Sequence, residues 1–133
     1  MTQQEQNRDL VLSLFKAMDA QDFARCKELA SPELKVHFSG TVLDREAWAA
    51  MGQMFMSAFP DGRHVWDLAE AAGDYVLLNG YFAGTNTGEF RGMPPTGKAV
   101  KISLTMIDRV QNGKLIEHRA DFDSAGLGEQ LAS

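Results

Sequence analysis

The chain has 133 residues, with 18 acidic against 13 basic side chains and a formal net charge of −5. That length supports one domain with a substantial core and leaves no room for two ordinary ones, so residues 1–133 read as a single domain. The acidic balance, with no stripe of Lys or Arg, argues against nucleic acid as a partner, and no run approaches the ~18 apolar residues of a membrane span.

The amino terminus, MTQQEQNRDL, has neither the basic start nor the apolar stretch of a leader, and a cytoplasmic location is expected. Thr2 with Glu5 forms a capping-box pattern. Leu10, Val11, Leu14, Phe15 and Met18 then follow helical spacing, which predicts a helix from about residue 4 to 19. Asp22 is placed to cap a second short helix that buries Phe23, Cys26 and Leu29 and stops before Ser31-Pro32. Cys26, the single cysteine, reads as a buried structural thiol on the apolar side of that helix. Residues 34–38 read as a short strand. Asp44 is the expected cap of a third helix, with Trp48, Met51, Phe55 and Ala58 in one stripe, ending near Pro60-Asp61-Gly62.

From Arg63 the periodicity becomes that of strands. Residues 63–71 and 74–85 alternate imperfectly around the turn Ala72-Gly73-Asp74. Residues 86–97 gather Gly88, Gly92 and Gly97 around Pro94-Pro95 and read as an ordered loop. A long hairpin follows, and Leu127 and Leu131 mark a short terminal segment. Helices first and antiparallel strands afterwards imply an α+β fold with helices packed on one face of a sheet.

The hairpin turn is Asn112-Gly113, a pair suited to the positive φ angles of a two-residue type I′ turn. An unbroken ladder from Gln111 opposite Lys114 puts Glu117 opposite Asp108, Arg119 opposite Met106, Asp121 opposite Leu104 and Asp123 opposite Ile102. Directly opposed residues share a face. Arg119, Asp121 and Asp123 would then look into an apolar concavity beside Val100, Ile102, Leu104 and Met106, with His118 facing outward. A one-residue bulge would reverse these assignments.

The segment GTNTGEFRGMPPTGK, then Arg109, NGKLIEHRADFD and GLGEQL, together with His37, Phe59-Pro60-Asp61 and Gln130-Leu131, resembles the SnoaL-like polyketide cyclase family of the nuclear-transport-factor-2-like superfamily. The resemblance spans most of the chain. It implies a cone-shaped α+β barrel, in which a curved antiparallel sheet wraps around N-terminal helices that close a pocket, often as a homodimer through the outer sheet face. It further implies ring closure by intramolecular aldol addition on an apolar carbonyl ligand, with neither metal nor organic cofactor. Two positions depart from the family pattern: Asn86 stands where histidine is frequent, and Arg119 where tryptophan is usual. Asp123 matches a family aspartate, and Asp121 is an extra carboxylate.

Aldol chemistry needs a base for an acidic C–H, a donor for the carbonyl that becomes an alkoxide, and walls that fold the substrate. Asp121 and Asp123 are the candidate acid/base groups, because a carboxylate in an apolar pocket beside a second one is driven toward protonation. Asp123 reads equally as the N-cap of a segment beginning at Ser124, and Asp121 as a salt-bridge partner of Arg119. Arg119 would orient a carbonyl or only neutralise the aspartates. His37 and Asn86 are candidate hydrogen-bonding groups, against a satisfied core histidine and a turn-forming asparagine. His64 has no evident partner and is read as surface. Phe15, Trp48, Met51, Phe55, Phe59, Trp66 and Tyr81, with Leu104 and Met106, are the expected apolar lining or simply core. Three scattered histidines and one cysteine lack metal-ligand spacing. The leading expectation is cofactor-independent acid/base chemistry, aldol-type cyclisation or isomerisation. Epoxide hydrolysis by an Asp/Arg/Asp centre and a non-catalytic ligand-binding module are the alternatives.

Overall fold

The helix starts expected from the capping residues are satisfied in the computed structural model, which describes residues 1–132. Helix α1 (Gln3–Asp19) opens with the reciprocal Thr2–Glu5 capping box. Helix α2 (Phe23–Leu29) begins at Asp22, whose Oδ1 accepts from the Arg25 N–H at 3.1 Å. Helix α3 (Arg45–Ala58) begins at Asp44, whose Oδ1 accepts from the Ala47 N–H at 2.8 Å. Each such cap contributes about 1 kcal/mol by pairing an N–H that the helix cannot pair itself.

The strands are β1 (Ala30–Phe38), β2 (Thr41–Leu43), β3 (Arg63–Ala72), β4 (Tyr75–Thr85), β5 (Ala99–Gln111) and β6 (Lys114–Phe122), followed by α4 (Ser124–Ala132). Strand β1 is longer than its apolar core suggested, and β2 lacked a sequence signal. The six strands form one sheet in the order β2-β1-β6-β5-β4-β3. Its neighbours are antiparallel except β1 and β6, which run parallel. The sheet stays open, with β2 and β3 as its edges.

Curvature has a local cause. The β3–β4 register shifts between Trp66 and Leu68, and Gly80 lies opposite Trp66. A Cβ at Gly80 would collide with the carbonyl oxygen of Val65, so glycine lets the two strands close up where the bulge bends them. The concave face then holds α1 against β3 and β4, and α3 against β1. Val11, Leu14 and Phe15 of α1, Trp48 and Met56 of α3, and Val36, Val76, Leu78, Ile102, Leu104 and Met106 of the sheet form one buried cluster. Each large member contributes about 1.5–3 kcal/mol relative to exposure.

The hairpin turn forms as its sequence predicts, with φ of 52° at Asn112 and 71° at Gly113. The ladder does not. Val110 pairs with Leu115, but Arg109 pairs with Glu117, so Ile116 is an extra residue in β6. Beyond this bulge His118 lies opposite Asp108, Ala120 opposite Met106, and Phe122 opposite Leu104. The expected placement of Arg119, Asp121 and Asp123 in the concavity is thereby overturned: all three are exposed. The physical reason lies in the partners of β6. The concave row of β5 is apolar, Val36 pairs with His118, and Phe38 with Ala120. An unbroken ladder would bury charged groups at several kcal/mol per ion, whereas the bulge turns His118, Ala120 and Phe122 inward instead.

Candidate active site

A cavity of about 80 Å³ lies between the concave sheet and helices α1 and α3. One water needs roughly 10–15 Å³ on this measure, so the space admits a small organic group. Phe15 and Met18 enter it from α1, and Trp48, Met51, Phe55 and Met56 from α3. The sheet adds Phe38, His64, Phe82, Leu104, Met106, His118, Ala120 and Phe122. His64 and His118 are the only ionisable side chains of this lining.

Both histidines are held by carboxylates. His118 Nδ1 bonds Asp108 Oδ1, and the pair is nearly sealed from solvent, with side-chain exposures of 2% and 0%. Asp108 Oδ2 is buried without a hydrogen-bond partner, so the imidazole is what compensates this carboxylate. His118 Nδ1 is committed to Asp108, and Nε2 is the nitrogen left for the cavity. The rings of Trp48 and Phe15, at 5.1 and 5.7 Å, pack against His118.

His64 is fixed at two points by Asp19, the last residue of α1. Its Nδ1 lies 2.6 Å from Asp19 Oδ1, and its backbone N–H donates to Oδ2 at 2.9 Å. The ring stacks on Trp66 at 5.6 Å and meets Phe15 at 5.2 Å and Phe82 at 5.3 Å. The expectation that His64 is a partnerless surface residue is therefore corrected. So is the outward placement of His118. Asp19 and His64 are 45 residues apart, and no local pattern links them. Asp108 did carry a signal: it falls in phase with Val100, Ile102, Leu104 and Met106, a single carboxylate on an otherwise apolar strand face.

Of the expected lining, Phe15, Trp48, Met51, Phe55, Leu104 and Met106 reach the cavity. Phe59 is buried behind it against Phe82 and Phe90. Trp66 supports His64 instead of lining the space, and Tyr81 lies under the Lys101 ammonium, 4.2 Å from the ring centre. Asn86 is buried, and its side chain is spent on the loop: Nδ2 donates to the carbonyls of Ala58 and Gly88, while Oδ1 accepts from Thr96 N and Oγ1.

The polar residues expected around a single strand lie outside the cavity. His37 Nε2 is 3.5 Å from Glu117 Oε2, and Arg119 Nε is 3.7 Å from Glu117 Oε1. His37, Arg119 and Asp121 border a separate cleft of about 470 Å³ beside β2. Asp123 is the cap of α4, its Oδ1 accepting from Gly126 N–H at 2.9 Å. Among the described residues no three His, Cys, Asp or Glu side chains converge as a metal site. No helix of the described residues is long and apolar enough to cross a membrane.

The profile of SnoaL-like polyketide cyclases matches residues 8–131. The chain belongs to the SnoaL-like polyketide cyclase family. Among solved structures, IdmH of Streptomyces antibioticus, a proposed polyketide cyclase, is similar at 28% identity and a TM-score of 0.85, over 96% of this chain and 99% of that one. A proposed SnoaL-like polyketide cyclase from Jannaschia sp. CCS1 is similar at 25% identity and a TM-score of 0.88, over 98% and 94%. AclR of Streptomyces galilaeus, a proposed hydroxylase, shares the fold at 24% identity and a TM-score of 0.89, over 97% and 82%. No curated protein matches the chain. Within this SnoaL-like chain, the six-stranded open sheet and the helices on its concave face are the family's α+β architecture.

Proposed function

We propose that the cavity carries out acid/base chemistry on an apolar carbonyl compound, aldol-type cyclisation or isomerisation of a polyketide-like substrate, with His118 as the base. The observation that carries this reading is a buried imidazole whose Nδ1 is held by buried Asp108 and whose ring faces a cavity that is apolar apart from His64. With Nδ1–H held by the carboxylate, a lone pair at Nε2 is presented to the cavity, and imidazole is the side chain most often used as a general base. Aromatic and methionine walls exclude water and press a flexible ketone chain into a folded shape. Membership in the cyclase family supports the same reaction class.

Hydrolysis by an Asp/Arg/Asp centre loses its support, because Arg119, Asp121 and Asp123 are exposed and away from the cavity. Turnover of a panel of linear poly-β-ketones, followed by product mass and NMR, tests the reading. His118→Asn is expected to lower kcat by about 100-fold or more. Wild-type protein that binds panel members and converts none of them would point to a binding module of the same fold.

We also infer a homodimer through the outer sheet face. Leu77 and Ile107 are cross-strand partners there, 37% and 42% exposed. Sedimentation of the wild type should give twice the chain mass, and Leu77→Lys should shift it to the monomer; a monomeric wild type sinks the inference.

A further inference from the structure

Enolisation removes a proton from carbon and supplies one to oxygen, and a single imidazole cannot do both at once. The cavity holds a second. We propose that His64 is the proton donor of a two-imidazole site and that the substrate is an uncharged ketone; this rests on His118 acting as the base.

Three observations carry the assignment. His64 and His118 line the same cavity and both pack on Phe15, with ring centres at 5.2 and 5.7 Å, so the two imidazoles flank one aromatic wall of that space. Each has Nδ1 committed to a carboxylate, which leaves Nε2 of each for the ligand. The two pairs differ in burial: Asp19 is 23% exposed and His64 9%, against 0% and 2% for Asp108 and His118. The His64 pair therefore has the shorter route to bulk water for reloading a proton. The base sits deeper.

The step balances on these groups. His118 Nε2 takes a proton from the carbon next to the carbonyl, and the C–H electron pair moves into a carbon–carbon double bond. The carbonyl π pair moves to oxygen, which receives the Nε2 proton of His64 in its imidazolium form, with Nδ1–H still held by the Asp19 carboxylate. His118 gains a proton as His64 loses one, and the product is an enol. Attack of the enol carbon on a second carbonyl forms the new carbon–carbon bond. His118 then protonates the new alkoxide and the enol O–H returns its proton to His64, restoring both rings. The lining holds no Lys or Arg to balance a carboxylate or phosphate. Desolvating such an anion there without a cation to pair it is strongly unfavourable, which selects an uncharged substrate.

Deuterium exchange of 2-tetralone, an uncharged bicyclic ketone, followed by proton NMR with the full chain in D2O, tests this. The wild type should accelerate exchange next to the carbonyl over buffer. His118→Asn and His64→Asn should each lower the rate about 100-fold or more with 2-tetralone affinity kept, since the amide replaces Nδ1–H toward its carboxylate and deletes Nε2. Asp19→Asn, changing a positioning residue, should lower it about 10–100-fold at unchanged affinity. This variant decides the matter should His64→Asn fail to bind. Loss of exchange in His118→Asn with a wild-type rate in His64→Asn or Asp19→Asn overturns the donor role and leaves the base intact. A wild-type rate in His118→Asn defeats the base reading instead, and no acceleration by the wild type defeats both. A tetralone carboxylate bound as tightly as 2-tetralone overturns the uncharged substrate.

Discussion

Asp108 and His118 are partners across the β5–β6 ladder, and Asp108 Oδ1 meets His118 Nδ1 with both side chains out of solvent. Removing one partner of a buried pair strands the other, which generally costs about 3–5 kcal/mol. Asp108→Ala should lower the unfolding free energy in urea by about that amount, and Asp108→Asn, which keeps an acceptor, by less. A change below about 1 kcal/mol for Asp108→Ala would show that the pair does not hold the sheet's interior.

The bulge at Ile116 decides which residues of β6 face inward. Deleting Ile116 removes the extra residue and leaves an unbroken ladder in the observed register, with Leu115 opposite Val110, Glu117 opposite Arg109 and His118 opposite Asp108. The deletion variant is therefore expected to stay soluble, to unfold cooperatively in urea and to keep His118 in the cavity. A deletion variant that accumulates insoluble or unfolds non-cooperatively would refute the role given to the bulge.

Arg119 and Asp121 are exposed and away from the cavity. Arg119→Ala and Asp121→Asn should each leave the rate of ketone exchange within about twofold of the wild type, in line with surface changes of ±0.5 kcal/mol. Asp123→Ala should also spare the rate but cost roughly 1 kcal/mol of stability, because it removes the α4 cap. A hundredfold rate loss in Arg119→Ala would place the chemistry on the outer face instead of in the cavity.

Cys26 is buried, and its Sγ contacts the Leu14 carbonyl at 3.6 Å. Burial, reinforced by the nearby Asp22 charge, pushes this thiol from its ordinary 9.0 up to about 11. The folded value lies above the unfolded one, so the unfolded chain loses its proton first as pH rises. The stabilising contribution is therefore complete below pH 9 and fades between 9 and about 11. Unfolding midpoints at pH 8 and pH 10.5 should fall in that order for the wild type more than for Cys26→Ala. Reaction of the folded thiol with a disulfide reagent at pH 8 should be slow, and become fast in urea.

The helices and the turn were legible in the sequence because their causes are local. Thr2, Asp22 and Asp44 sit within three residues of the N–H groups they cap, and Asn112-Gly113 needs only its own φ preferences. The apolar rows of α1, α3 and β5 likewise follow from their periods. The polar chemistry was not legible for the opposite reason. A bulge changes the face of every later residue in a strand, and its position at Ile116 depends on β1 and β5 offering apolar neighbours on both sides of β6, a balance among partners distant in sequence. His64 meets Asp19 only because the end of α1 lies over the start of β3. Composition and periodicity thus established an α+β chain with an apolar concavity, while the pairing of strands across long separations put two imidazoles there in place of three exposed charges.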